Sequence, residues 1–221
     1  MGDSIFKVFM DYWQIFLKGL RGTLLYAFIA VFFGTILGAF VAMAHMSRKK
    51  AVSGIAAAYV NVLRGTPLLV QMYISYYFVP IAIPALNKID KVYFVVMALI
   101  LNSSAYVSEI IRSGIQSVDI GQTEAARSLG MTSAHCMRKI VLPQAVKNIL
   151  PALGNEYITM IKETSLAGTM MLYELTFTKT LLANKYLFWQ PLIIIAIIYL
   201  VVTLGLSWIF RKIEKRMSVS D

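Results

Sequence analysis

The sequence predicts an all-helical integral membrane protein with five spanning helices and a short cytoplasmic helix in one of its loops. Of its 221 residues, 58% are hydrophobic and only 14% are charged, and the mean hydropathy is +0.69. The apolar residues come in blocks of roughly 20, the length at which a helix crosses a hydrocarbon core about 30 Å thick. One loop interrupts these blocks with residues typical of a capped, water-exposed helix. A chain of this composition has more apolar surface than one soluble core can bury.

The apolar blocks give the positions of the spans. They cover residues 24–46, 68–86, 93–111, 145–161 and 187–210. Residues 51–63 are apolar too, but one helix running from 51 to 86 would be far longer than a bilayer is thick. The sequence therefore predicts a separate helix near the cytoplasmic face over 51–63. A span that begins after Pro67 follows it, with Thr66 as its cap.

The basic residues predict the orientation of the chain. Twelve Lys and Arg residues follow the first, third and fifth predicted spans, whereas eight lie on the other side. Arg64 is placed at the membrane interface or inside a subunit contact. Because cytoplasmic segments are enriched in Lys and Arg, residues 1–221 are predicted to form one transmembrane domain with its N-terminus outside and its C-terminus in the cytoplasm. The net charge of +10 is thus explained by membrane loops and does not predict nucleic-acid binding. Lipid headgroups are the predicted partners of the basic C-terminus.

Residues 121–143, between the third and fourth spans, carry the signals of a short helix. Thr123 is the predicted N-cap, Glu124 suits the positive end of the helix, and Ala125 and Ala126 are strong helix formers. Gly130 is the expected C-terminal stop. The pattern predicts a two-turn helix held away from the membrane.

A second helix is predicted to follow that glycine. Thr132 can cap it, and Pro143 breaks or kinks it where the fourth span begins. Leu129 and Met131, on either side of the glycine, are the predicted apolar anchors for a partner groove.

Two stretches of this loop, "EAARSLG" and "IVLP", carry a family resemblance. The matching residues are Glu124, Ala125, Ala126, Gly130, Ile140, Leu142 and Pro143. In this pattern the chain resembles the permeases of ATP-binding-cassette importers of type I, which carry the EAA signature. The resemblance implies that residues 124–131, including Ser128, form a coupling helix that docks on a separate ATPase subunit. Without the resemblance, the same residues could form a helix-turn-helix DNA reader or an ordinary connecting loop.

Three further stretches, "RGTPLLVQ", "NSSAYVSEIIRSGIQSVDIGQTEAA" and "MIKETSLAG", resemble the polar amino acid permeases that serve histidine, glutamine, glutamate and arginine. The resemblance implies alternating access in a bacterial cell membrane. It also implies three kinds of partner: a second permease copy or homologue, an external solute-binding protein, and ATPase subunits that bind ATP and Mg. The sequence has no G-x-x-x-x-G-K-[ST] motif, so ATP hydrolysis is assigned to the partner. No cofactor and no metal site are predicted for this chain.

Polar residues inside the third and fourth spans mark a candidate substrate route, since such residues are costly in lipid and tend to face a cavity. The predicted substrate contacts are Glu163, Thr164, Ser165, Asn102 and Ser103. A helix break is expected just after Glu163. A basic amino acid is the favoured substrate because a carboxylate in a dehydrated cavity attracts a cation strongly. Adjacent Lys162 could neutralise Glu163.

Other polar residues of these spans have structural explanations. Glu109 and Arg112 are predicted to pair with each other, and Glu156 with Arg64 or Lys147. Any one of the polar groups could simply bond across the bundle. Two function classes compete with ATP-driven import: an ion-gradient-driven transporter and a membrane scaffold without transport. The lack of an evident internal repeat disfavours the first, and the polar third and fourth spans disfavour the second.

Overall fold

The computed structural model describes residues 5–186 and 189–218, and over these residues the chain is helical with no β-strand. The α-helices are α1 Ile5–His45, α2 Lys50–Gly65, α3 Leu68–Tyr73, α4 Val79–Ala82, α5 Lys91–Gln116, α6 Ile120–Ser128, α7 Ser133–Cys136, α8 Leu142–Glu163, α9 Thr178–Leu182 and α10 Trp189–Ser218. π-Helical turns cover Ile74–Phe78 and Met137–Val141, and 3-10 helices cover Pro84–Lys88 and Thr164–Met170. The all-helical prediction is confirmed.

The long helix α1 packs closely along α5 because small residues face the contact. A Cβ atom added at Gly34 would lie 2.9 Å from Ser103 Cβ, and one added at Gly38 would lie 2.8 Å from the carbonyl oxygen of Ser104. Without side chains at these two positions the helix backbones come together at the polar middle of α5. The glycine pair therefore brings α1 against the stretch of α5 that carries the polar residues.

Three described helices are long and apolar enough to cross a membrane: α1, α5 and α10. The segment Leu68–Ala82 is apolar but shorter, and α8 carries charged residues. The count of five crossings stays a prediction. α1 begins at Ile5 rather than at residue 24, and its first part is set off by a kink at Tyr12, with φ −127° and ψ 17°. One face of this part packs on other elements, with Val8 0% and Phe16 1% exposed. The predicted start of the fifth span at Leu187 lies outside the described residues.

The helix predicted over 51–63 is present as α2, which packs one face, with Ala56 and Val60 buried, against the bundle and leaves most of its other residues exposed. Its position at the cytoplasmic face stays a prediction. The Tyr59 hydroxyl lies 2.6 Å from Ser104 Oγ, and Asn102 Nδ2 donates to the Leu63 carbonyl at 3.5 Å. Both partners lie in the middle of α5. α2 thus runs along α5, and α3 follows it after a break at residues 66–67. The apolar chain on either side of this break is therefore not one continuous helix.

A connecting segment, residues 164–186, closes the end of the bundle after α8. Its Glu174 is 0% exposed. The carboxylate accepts hydrogen bonds from the backbone N–H groups of Thr176 at 2.7 Å and Phe177 at 2.6 Å. It also accepts from the Tyr199 hydroxyl of α10 at 3.0 Å and from Thr23 Oγ1 of α1 at 3.5 Å. One carboxylate therefore holds the connecting segment to two long helices.

Candidate coupling loop and translocation cavity

The short helix of the 121–143 loop is α6, and its cap differs from the prediction. Asp119 Oδ1 accepts from the backbone N–H of Gly121 at 2.6 Å, so the helix begins at Ile120. Thr123, the predicted N-cap, lies inside the helix, and that prediction is wrong. Asp119 caps because its own backbone is non-helical, with φ −54° and ψ 129°, which lets a short acidic side chain reach the free N–H groups of the first turn.

The end of α6 follows the sequence closely. Gly130 has φ +83°, the left-handed conformation that glycine adopts without steric cost. The N–H of Gly130 donates to the Arg127 carbonyl at 3.0 Å, and the N–H of Met131 donates to the Ala126 carbonyl at 3.1 Å, which is the bonding of a glycine C-cap. Thr132 then caps α7 by accepting from the His135 N–H at 3.3 Å. Both predicted signals are confirmed.

The loop exposes only part of the predicted coupling surface. Ala126 is buried against Cys136 and Val141, and Met131 packs half-buried on the same cluster. These two side chains hold the loop together and do not form a free face. Leu129 is 85% exposed. Glu124, Ala125 and Ser128 are exposed too. So is Ile120 at 73%, a residue that the sequence analysis missed.

A polar cavity of about 210 Å³ lies where α5 and α8 meet the break between α2 and α3. Its lining residues are Thr66, Pro67, Leu68, Asn102, Tyr106, Glu156, Thr159, Met160 and Glu163. Asn102 stands 11 residues from the start of α5, about 17 Å along the helix axis, and so near the middle of the 93–111 span. Backbone breaks at such depth occur in membrane proteins where they line a cavity.

The helix break is formed by the sequence Gly-Thr-Pro. The Pro67 nitrogen has no proton and cannot donate the hydrogen bond that would continue α2. The Thr66 hydroxyl donates to the Val62 carbonyl of α2 at 2.8 Å. Thr66 was predicted to cap α3, and that prediction is wrong. The Gln71 side chain closes the break from the other side, with Nε2 donating to the Leu63 carbonyl at 2.7 Å.

The cavity unites two of the predicted substrate residues. Glu163, the last residue of α8, and Asn102 both line it. Asn102 Nδ2 also donates to Gln71 Oε1 at 3.0 Å, which orients the amide. The expected helix break after Glu163 is present as the 3-10 helix Thr164–Met170.

The other predicted substrate residues lie behind the cavity wall. Ser103 is fully buried and donates to Glu156 Oε1 at 3.1 Å. The predicted pairing of Glu156 with Arg64 or Lys147 is therefore wrong. Thr164 is also fully buried and donates to the Ile161 carbonyl at 2.8 Å. Ser165 is half-buried and is not among the lining residues.

A broken-helix polar cavity within a helical membrane bundle, together with a protruding capped loop that carries the EAA signature, defines the permease component of an import system. The family model for "Binding-protein-dependent transport system inner membrane component" matches residues 34–219. The chain belongs to this family.

Individual proteins that resemble this chain are also amino acid transport permeases or transporters by name. A solved structure described as an amino acid ABC transporter with histidines has a TM-score of 0.91 and 44% identity, covering 98% of this chain and 100% of its own. The arginine transport system permease protein of Bacillus subtilis is 39% identical over 206 residues, 93% of each chain. The nopaline transport system permease protein of Agrobacterium fabrum is 40% identical over 193 residues, 84% of this chain and 80% of its own.

Proposed function

We propose that this chain is the transmembrane permease subunit of an ATP-driven importer for polar amino acids and that it works by alternating access. The cavity carries the proposal, because an amide, two carboxyl groups and a helix break converge there beside the middle of α5. Groups of this kind can hold the charged ends of a zwitterion. The relatives named above, which are amino acid, arginine and nopaline permeases by name, support the same substrate class.

The coupling loop would connect the cavity to separate ATPase subunits. Leu129 and Ile120 place two large apolar side chains in solvent on a loop held rigid by Asp119 and Gly130, and such anchors fill pockets on a partner. ATP and Mg would bind to that partner. A second permease copy or homologue would complete the pathway, and an external solute-binding protein would deliver the solute.

Glu163 favours a basic amino acid as the solute. The carboxylate sits at the end of α8 in a cavity that also holds the Glu156 carboxyl group, so the cavity offers a cation a negative charge and further acceptor oxygens. Attraction to a guanidinium or ammonium group is far less screened there than in water.

The test of the proposed function is uptake by the reconstituted complex. Proteoliposomes containing this chain, its ATPase and its binding protein are expected to accumulate a radiolabelled basic amino acid only with ATP, and vanadate is expected to stop the accumulation. Uptake driven by an ion gradient without ATP would indicate a secondary transporter. No uptake under either condition would indicate a scaffold.

Glu163→Gln is expected to lower the uptake of a basic amino acid by about ten- to a hundredfold, because a charge-assisted hydrogen bond contributes about 1.5–3 kcal/mol. Uptake of a neutral polar amino acid by the same variant should fall much less. The measurement is initial uptake rate for both solutes with the binding protein unchanged. Glu214→Gln, a carboxylate change on α10 outside this cavity, is the matched control. Equal losses for both solutes would contradict a substrate contact.

The predicted orientation has its own test. Cys136, the single cysteine, is 1% exposed, and Cys136→Ala gives a background for single cysteines at the exposed positions Ala134 and Asn184. A membrane-impermeant maleimide is expected to label Asn184→Cys in spheroplasts and Ala134→Cys only in inverted vesicles. Labelling of both from one side would overturn the orientation.

A further inference from the structure

The Arg64 side chain is exposed and lies beside the middle of α5. It follows Leu63, whose carbonyl is 3.5 Å from Asn102 Nδ2, and its guanidinium carbon lies 5.3 Å from the centre of the Tyr106 ring. Asn102 is near the middle of the 93–111 span, and Tyr106 is four residues, about 6 Å, further along α5. The predicted position of Arg64, at the membrane interface or inside a subunit contact, stays a prediction. A guanidinium at this depth is costly unless it faces a cavity or a counter-charge.

No carboxylate in residues 5–186 and 189–218 forms a salt bridge with Arg64, although Glu109 attracts it electrostatically from a greater distance. Glu109, on the next turn of α5 after Tyr106, is engaged by Arg112, whose Nε donates to both carboxylate oxygens at 3.0 and 3.1 Å, as predicted. The Arg64 guanidinium instead lies over the Tyr106 ring, with its carbon 5.3 Å from the ring centre. A cation held over a ring uses no acceptor for its N–H donors there, so these donors can bind a planar anion.

The Tyr106 ring also lines the polar cavity, as does Thr66, two residues after Arg64. The opposite side of the cavity is α8, with Glu156 and Glu163. The cavity thus has a cation beside its α2–α5 wall and carboxylates on its α8 wall. An amino acid carries the complementary pair of charges, since its carboxylate suits an arginine fork and its cationic groups suit a glutamate.

We propose that Arg64, held against the Tyr106 ring, binds the α-carboxylate of the translocated amino acid. The cationic side chain of that amino acid then faces Glu163. This inference rests on the proposed function and deepens it, because it makes the permease itself selective for zwitterions over simple amines. The selection would act in addition to any made by the binding protein.

The test uses the purified permease–ATPase complex without the binding protein, and the probes are L-arginine and agmatine, which is arginine without its carboxylate. Equilibrium binding to the wild-type complex is expected to favour L-arginine by about ten- to a hundredfold. Arg64→Gln should lower the affinity for L-arginine to that for agmatine and leave agmatine binding unchanged. Arg64→Lys should keep part of the preference, since it retains charge without the planar fork. Arg48→Gln removes an exposed arginine at the α1–α2 turn and should change nothing.

Tyr106→Phe and Tyr106→Leu give a second measurement that does not alter Arg64. Phenylalanine retains the ring and should preserve the preference, whereas leucine should reduce it. A preference that survives Arg64→Gln would overturn the inference. If the complex is placed in nanodiscs and the preference changes only with their anionic lipid content, Arg64 binds a lipid phosphate and the inference is also overturned. Either result would leave ATP-driven uptake intact, whereas failure of the proposed function would appear as loss of that uptake in the wild type.

Discussion

Gly130→Val is expected to lower ATP-driven uptake by about tenfold or more while the chain still inserts in the membrane. Gly130 has φ +83° at the end of α6, and a left-handed conformation costs an L-residue about 1–2 kcal/mol, with the cost highest for β-branched side chains. The variant would relieve this strain by moving α6 relative to α7, which changes the surface offered to the ATPase. The measurements are uptake by proteoliposomes and co-purification of the ATPase.

Two matched variants separate backbone strain from side-chain volume. No atom lies within 4 Å of a Cβ added at Gly130 or at Gly54 of α2, so neither substitution meets a neighbour. Gly130→Asn should retain most of the uptake because asparagine tolerates the left-handed region, and Gly54→Val should retain it because its φ is not positive. Normal uptake and ATPase binding by Gly130→Val would show that the turn is not needed for coupling.

Glu174→Ala is expected to cause a larger loss of thermal stability than any other single carboxylate change in the described part of the chain. The backbone N–H groups of Thr176 and Phe177 would both lose their acceptor inside the protein. A fully buried group left unsatisfied costs about 1–3 kcal/mol, and these two groups are partly buried, so the free energy of unfolding should fall by about 2–4 kcal/mol. The midpoint of thermal unfolding of the detergent-purified complex measures the effect.

Glu156→Ala and Tyr199→Phe serve as controls of graded size. Glu156 is also buried but accepts only the Ser103 hydroxyl among the bonds found for it, at 3.1 Å. Tyr199→Phe removes one of the donors to Glu174 and leaves the backbone bonds in place. Both should shift the unfolding midpoint by less than Glu174→Ala. Equal shifts for all three variants would mean that the Glu174 bonds do not hold the connecting segment.

The sequence predicted best where structure depends on neighbours along the chain. Gly130 as a helix stop, Thr132 as a cap and the Glu109–Arg112 pair each involve groups within a few residues of one another, and local chemistry decides them. The Thr123 prediction failed for a local reason as well. Asp119 offers a capping oxygen four residues earlier, and the first acceptable cap along the chain begins the helix.

Most wrong predictions concerned contacts between residues that are far apart in the sequence. Glu156 was expected to meet a cation, but Ser103 lies 53 residues away along the chain and occupies its carboxylate. Glu174 attracted no attention in the sequence because its bonding partners on α1 and α10 are about 151 and 25 residues away. Neither contact leaves a periodic or motif signal, since each is set by how helices cross.

By itself the sequence determined the helical membrane class, the capped loop and the family, because apolar length, turn chemistry and a contiguous signature are properties of neighbouring residues. Only the tertiary structure decided that α2 packs against the middle of α5 and that Thr66 and Pro67, at the helix break, line one cavity with Glu163. The apolar composition of residues 51–63 suits a lipid surface and a helix interface equally well. The choice between them depends on Tyr59 meeting the hydroxyl of Ser104 on another helix, where a buried polar group finds its hydrogen-bond partner.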